Sequence, residues 1–339
     1  MKNTSIYFML AVILCGILSS CDSTTPSTQT PIGDVGNDLQ LINGKLFIVM
    51  DNSDKIVVGT PPASSDYQVF ILNQGAFGKN NSRLDSWDWT NSTFTVGLFT
   101  TDGSSDHSSI TFPAKSAPWK ILQISPTEAL AAEYYTNNLA VINLTSNTIS
   151  STIPIGAGQN SLAVLGNTVY ATTNSNTIVS LDKTAKTIIS QKYIGDNPGQ
   201  VFVDSAHNSL IVFTTGNYSP KTPGKILWVN PTTLAVTDSI TVDTTHYINE
   251  IVSAGSKAYV LFTDKVQVLD LGTHALSTDG LFAKIYYGGY FDPVANYLYM
   301  GTAVDFQSND IVDVFDLSAH SLKRTMNVGI APSFFAVTR

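Results

Sequence analysis

The chain has 339 residues, of which only 13% are charged, with 18 Lys and Arg against 26 Asp and Glu for a formal net charge of −8. That acidic, charge-poor balance excludes a nucleic-acid role built on neutralising phosphates, which needs clustered Lys and Arg. Both cysteines, Cys15 and Cys21, lie near the start, so the long remainder has neither a disulfide framework nor a thiol nucleophile.

Lys2 precedes an apolar run from Ile6 to Leu18, shorter than the roughly 20 residues that span a bilayer. A secretory signal peptide over 1–20 is therefore expected. The boundary Leu18-Ser19-Ser20-Cys21 resembles a bacterial lipobox, which implies a diacylglyceryl group on Cys21 and a membrane as the first partner. Loss of residues 1–20 removes only Lys2 among the charged residues and takes the formal charge from −8 to −9. Residues 21–38 carry that cysteine and a Ser/Thr/Pro-rich stretch, DSTTPSTQTPIGDVGND, which reads as a flexible tether. Residues 39–339 remain as one expected domain, in the cell envelope and in the outer membrane of a Gram-negative bacterium, with the leaflet open.

Five segments of this domain align without a gap over 18 residues, starting at Leu139, Ile178, Ile226, Val266 and Val312. Each has an alternating strand, an Asn or Asp at its fifth position, a polar turn and a second strand. LDSWDWTNSTF from Leu84 repeats the first part of the pattern. The recurring residue is Asp88, Asn143, Asp182, Asn230, Asp270 or Asp316, and its short side chain accepts backbone N–H groups of the turn that follows. Six such residues in six turns point to structure rather than to metal or catalysis.

Upstream of these hairpins lies a more apolar strand: KLFIVM from Lys45, QVFILN from Gln68, ALAAEY from Ala129, TVYATT from Thr168, SLIVFT from Ser209, KAYVLF from Lys257 and YLYMGT from Tyr297. A further strand precedes most of them. Four antiparallel strands recurring every 39 to 55 residues describe the blade of an all-β propeller. The last copy, SFFAVT, supplies a first strand alone and is expected to close the ring as the innermost strand of a blade drawn from residues 67–100. Residues 39–60 are then left as an incomplete blade. Seven blades are preferred, and six plus an N-terminal hairpin also fit.

The IG-x-x-P-x-x-φ-x-V step, the φ-x-φ-D-x-x-x-x-φ hairpin and the lipobox together resemble YVTN-repeat, or YncE-like, β-propeller lipoproteins. VFILNQGAFGKNNSRLDSWDW resembles the first blade of their Bacteroidota branch, with Gln74 in place of the usual acid. NGKLFIVMDNSDKIVV resembles the blade that follows it there, so the two occur in swapped chain order. The resemblance implies a surface propeller, and members of the branch bind cobalamin and pass it to a TonB-dependent transporter. A small ligand such as a corrinoid and such a transporter are accordingly the implied partners, although no residue motif in this chain specifies the ligand.

Antiparallel blades put the second-to-third and fourth-to-first connections at one end, and the irregular segments fall in these classes: 74–82, the long stretch from Thr100, 216–224, 244–247 and 302–310. A rigid scaffold that presents such loops together is a binding arrangement. The aromatic candidates there are Phe77, Trp119, Tyr218, Tyr247 and Phe306, with Asn80, Lys221, His246, Asp305 and Gln307 as polar partners. The sequence shows no metal-ligand cluster, P-loop, nucleophile elbow, calcium loop or cofactor motif. A non-catalytic binding protein is the expectation. The alternatives are a propeller enzyme of lactonase or quinone-dehydrogenase type, with acid, base or metal groups converging in the central channel, and an adhesive or scaffolding lipoprotein.

Overall fold

A computed structural model describes residues 36–50, 53–61, 67–76, 79, 81–98, 107–217, 219–242 and 247–339. Cys21, the expected signal peptide and most of the expected tether lie outside these residues. The chain opens with β1 (Gly36–Ile42), β2 (Lys45–Met50) and β3 (Lys55–Gly59). The Asn43-Gly44 turn joining the first two has positive φ at both residues, 51° and 73°, as a two-residue hairpin requires. The chain then crosses to a second sheet for β4 (Gln68–Asn73), β5 (Arg83–Asp88) and β6 (Thr93–Thr95), and returns to lay β7 (His107–Thr111) beside β3.

Five sheets follow in simple order. They are β8–β11 (Pro118–Gln123, Glu128–Glu133, Asn138–Asn143, Thr148–Pro154) and β12–β15 (Gln159–Leu165, Thr168–Thr173, Thr177–Asp182, Thr187–Tyr193). Next come β16–β19 (Pro198–Asp204, Ser209–Thr214, Lys225–Val229, Val236–Thr241) and β20–β23 (Ile248–Ala254, Lys257–Phe262, Val266–Asp270, Ala275–Thr278). The fifth is β24–β27 (Gly288–Asp292, Tyr297–Gly301, Ile311–Asp316, Ser321–Asn327), and β28 (Pro332–Thr338) then pairs antiparallel with β4.

Every sheet has four strands, and the innermost strands touch in the cyclic order β28, β1, β8, β12, β16, β20, β24 and back to β28. This is a seven-bladed β-propeller. Numbered around the ring, blade 1 is β28-β4-β5-β6, blade 2 is β1-β2-β3-β7, and blades 3 to 7 follow the chain. Seven apolar clusters fill the seven gaps between neighbouring blades. Because each sheet is covered on both faces, the second strands are buried throughout, as in QVFILN and SLIVFT, and read as continuous apolar runs. Outermost strands such as TIISQKY are solvated.

Blade 2 corrects one expectation: residues 39–60 are not an incomplete blade, because β7, from within the stretch read as a long loop from Thr100, supplies its outer strand. Only residues 112–117 of that stretch connect blade 2 to blade 3 at the expected end. The described parts of the crossing from β3 to β4 start from the opposite end, so the irregular segments are not wholly confined to one end. The swapped chain order of the two N-terminal segments disappears in the ring, where the QVFILN blade directly precedes the KLFIVM blade. A second difference lies at the domain start: β1 begins at Gly36, inside the expected tether, and Asp38 is 1% exposed.

The repeated Asn or Asp does what the pattern implied. Asn143 accepts the N–H groups of Thr145 and Ser146 at 2.9 and 3.0 Å, and Asp316 those of Ser318 and Ala319 at 3.0 Å. The residue four positions on has φ near +50° in every such turn: Ser92, Asn147, Lys186, Leu234, His274 and His320. Blade 2 has no such turn, since its fourth strand arrives from elsewhere.

Candidate functional site

The inner strands all start at one end of the ring, here called the upper end, and the described residues of the connections 74–82, 134–137, 215–224, 242–247, 279–287 and 302–310 surround it. Phe77, Asn80, Tyr218 and His246 lie outside the described residues. The remaining candidates occupy three separate positions on the rim. Trp119, in β8, packs on Tyr134 with centroids 5.3 Å apart, and Tyr134 meets Tyr135 at 4.9 Å, so blade 3 presents an aromatic trio. Lys221 lies 5.7 Å from the ring of Tyr247 across blades 5 and 6. Phe306, at φ +56°, sets its ring edge-on to Tyr287 at 5.1 Å over blade 7. Asp305 turns inward on its own loop, accepting the N–H groups of Gln307 and Ser308 at 2.8 and 2.7 Å, and these bonds hold its carboxyl below the usual range. Gln307 is exposed.

Below the rim, the axis is lined by one residue from each inner strand. Strand registers make Asp38, Lys120, Ser161, Gln200 and Glu250 equivalent. An innermost strand has an unpaired edge, and its inward N–H groups need partners. The blade before supplies them. Asp38 accepts the Ile121 N–H at 3.0 Å, Ser161 that of Val201 at 3.2 Å, Gln200 that of Ile251 at 3.0 Å and Glu250 that of Gly289 at 2.9 Å. Four blade junctions are thus clasped by the same bond. In blade 7 the equivalent residue is Gly288, where a Cβ would fall 2.4 Å from the Ser333 carbonyl oxygen of the closing strand. In blade 1 it is Phe334.

Of these residues Asp38, Lys120, Gln200, Glu250 and Phe334 border an axial cavity of about 210 Å³, which Tyr290 also lines. Lys120 Nζ stands 3.5 Å from Asp38, forming an ion pair. Glu250 keeps some accessible surface because it faces the cavity, yet protein surrounds it; burial pushes its pKa up to about 8, with the Gly289 N–H and Lys120 opposing and Asp38 adding to the shift. Tyr287, at the mouth, is pushed up to about 12 by burial and by the Glu250 charge, while a hydrogen bond from Gln74 opposes. Among the described residues no three His, Cys, Asp or Glu side chains converge to hold a metal ion.

Asp38, Lys120, Gln200 and Tyr287 were not among the residues that the sequence singled out. A signal for the first three existed in the repeat itself: NDLQ, WKIL, NSLA, GQVF and NEIV each place a polar residue just before the first apolar residue of the inner strand. Five different residue types at one position conceal a shared role.

No family model matches the chain, and no curated protein matches it. Among solved structures it is similar to hydrazine synthase of Kuenenia stuttgartiensis, with TM-score 0.64 and 12% identity over 92% of each chain. It is also similar to the Pan2 WD40 domain of Neurospora crassa (TM-score 0.59, 9% identity, 88% of this chain and 80% of that one). A third is the Cps50 (Swd1) propeller domain of Myceliophteria thermophila, with TM-score 0.55 and 9% identity over 83% of each chain. At these identities the likeness is one of fold, and a propeller is compatible with a binding or scaffolding role.

Proposed function

We propose that the protein is a lipid-anchored cell-envelope propeller that captures a small ligand on its upper rim without catalysing a reaction. The observation that carries this reading is the gathering of the described residues of the irregular 74–82, 215–224, 242–247 and 302–310 segments around one channel mouth, with aromatic groups at Trp119, Tyr247 and Phe306. Loops presented together by a rigid ring, with aromatic groups among them, are what a binding surface requires. The lipobox-like segment ending at Cys21 supports anchoring, and the family resemblance supports a corrinoid as ligand and an outer-membrane transporter as its recipient. The axial cavity of about 210 Å³ is below the ~300–1,000 Å³ of sites that enclose drug-sized ligands. A corrinoid would therefore lie across the rim rather than enter the channel.

Thermal denaturation of the protein with and without saturating cyanocobalamin tests the ligand, since binding to the folded state alone raises the midpoint. A rise of several degrees that Phe306→Ala diminishes supports rim capture. No rise removes the corrinoid. Cys21→Ser is expected to move the protein from the membrane fraction to the soluble fraction and to abolish incorporation of a labelled fatty acid.

A further inference from the structure

The axial cavity contains chemistry that the clasp between blades does not use. One oxygen of Glu250 accepts the Gly289 N–H, and among the described residues no hydrogen-bond donor sits on the other. The groups facing it from the packed elements are Lys120 on β8, Asp38 on β1 and Tyr287 ahead of β24. Lys120 is already paired with Asp38, so an ionised Glu250 would leave the cavity one negative charge in excess. The same cavity is bordered by Tyr290, Phe291 and Phe334. Carboxylate and aromatic side chains around a small recess are the groups that hold organic cations. About 210 Å³ is several times what a single water needs and leaves room for a short alkyl chain with a charged end.

We propose that the axial cavity binds a primary ammonium group, held by the Glu250 carboxylate among the side chains of Tyr290 and Phe334. The inference rests on the binding reading only in using the upper mouth for access, and it concerns a ligand distinct from anything spread across the rim. An ammonium entering beside Glu250 favours the ionised carboxylate, so association releases the proton that burial keeps there at neutral pH. With that group titrating near pH 8, affinity rises about tenfold between pH 7 and pH 9, a range in which a primary amine with a pKa near ~10.4 remains charged. Lys120 opposes the incoming charge, which gives the proposal a variant of opposite sign.

The test is calorimetric titration of the full-length protein in detergent with n-butylammonium, with n-butanol as the neutral isostere, at pH 7 and pH 9. Nα-acetyl-lysine amide is a third probe that separates a free amine from a lysine side chain. The expected result is binding of an ammonium probe but not of butanol, tighter at pH 9, with proton release at pH 7 seen as a buffer-dependent enthalpy. Glu250→Gln keeps an acceptor for the Gly289 N–H, and it is expected to weaken binding at least tenfold and remove the pH effect. Lys120→Met is expected to strengthen it. Equal binding of butylammonium and butanol, no binding by any probe, or unchanged affinity in Glu250→Gln overturns the proposal. Phe306→Ala leaves the axial site in place, so failure at the rim and failure in the channel are read separately.

Discussion

Asn143 ends the third strand of blade 3 and folds its side-chain oxygen back onto two successive amides. Each such bond contributes about 0.5–1.5 kcal/mol, so Asn143→Ala is expected to lower stability by about 1–2 kcal/mol, read as a shift of the urea midpoint at constant slope. Glu250 and Glu133 act through protons instead. Burial raises Glu250 to about 8, and Glu133 to about 7 despite a hydrogen bond from Thr136, against an ordinary value of 4.5. Between 4.5 and those values the folded state holds protons that the unfolded chain has released, so their contribution is present at pH 4.5 and lost as pH rises through 8. Stability measured by urea at a series of pH values should decline from pH 5 to pH 8.5 by on the order of a few kcal/mol. Glu250→Gln should flatten most of that decline and be more stable than the parent at pH 8.5.

At the scale of elements, β7 shows why the reading of the chain succeeded for most blades and failed for one. Hairpins repeated within a blade announce themselves because strand, Asx turn and strand are contiguous, and the same spacing recurs from Leu139 to Val312. HSSIT is short and polar, and its partner KIVVG lies some fifty residues earlier, across a whole set of strands belonging to blade 1. Nothing local marks such a pairing. The channel residues were hidden differently: their position is periodic, but what they share is an acceptor oxygen or a charge rather than a residue type, and Lys120 in WKIL looks like any exposed lysine. Within β7, Ile110 is 2% exposed and packs in the cluster between blades 2 and 3. Ile110→Ala should therefore cost about 2–4 kcal/mol, whereas Ser109→Ala, on an exposed position of the same strand, should stay within about 0.5 kcal/mol. Equal effects of the two substitutions in denaturant would mean that β7 does not complete blade 2.

For the whole molecule, the vulnerable seam is at blade 1, where strands from the two ends of the domain meet. β28 covers the inner edge of β4, and Phe335 fills the gap to blade 7 while Ala336 and Phe334 fill the gap to blade 2. The seam is reinforced on the lower side. Tyr67 donates to Asp292 at 2.7 Å and shares a 2.9 Å hydroxyl contact with Tyr299, Trp89 donates to Tyr299 at 2.8 Å, and Arg339 pairs with Asp292 while covering the Tyr67 ring. Above, Gln74 and Gly75 donate to the carbonyls of Ala331 and Ile330, and Asp310 accepts the Ala331 N–H at 3.1 Å. One ten-residue segment thus holds two blade junctions and the base of the rim loop 74–82 together. Phe335→Ala, which empties one gap, should lower stability by about 3–5 kcal/mol while unfolding stays a single transition. Removing residues 330–339 has a different consequence, because it opens the ring and bares the edge of β4, whose residues are apolar on both faces. Such an edge is a template for pairing with another chain. The truncated protein should elute as higher-order species in size-exclusion chromatography, and its thermal unfolding should broaden rather than merely shift. A monomeric truncate with a sharp transition would show instead that blades 2 to 7 hold the ring's curvature without closure.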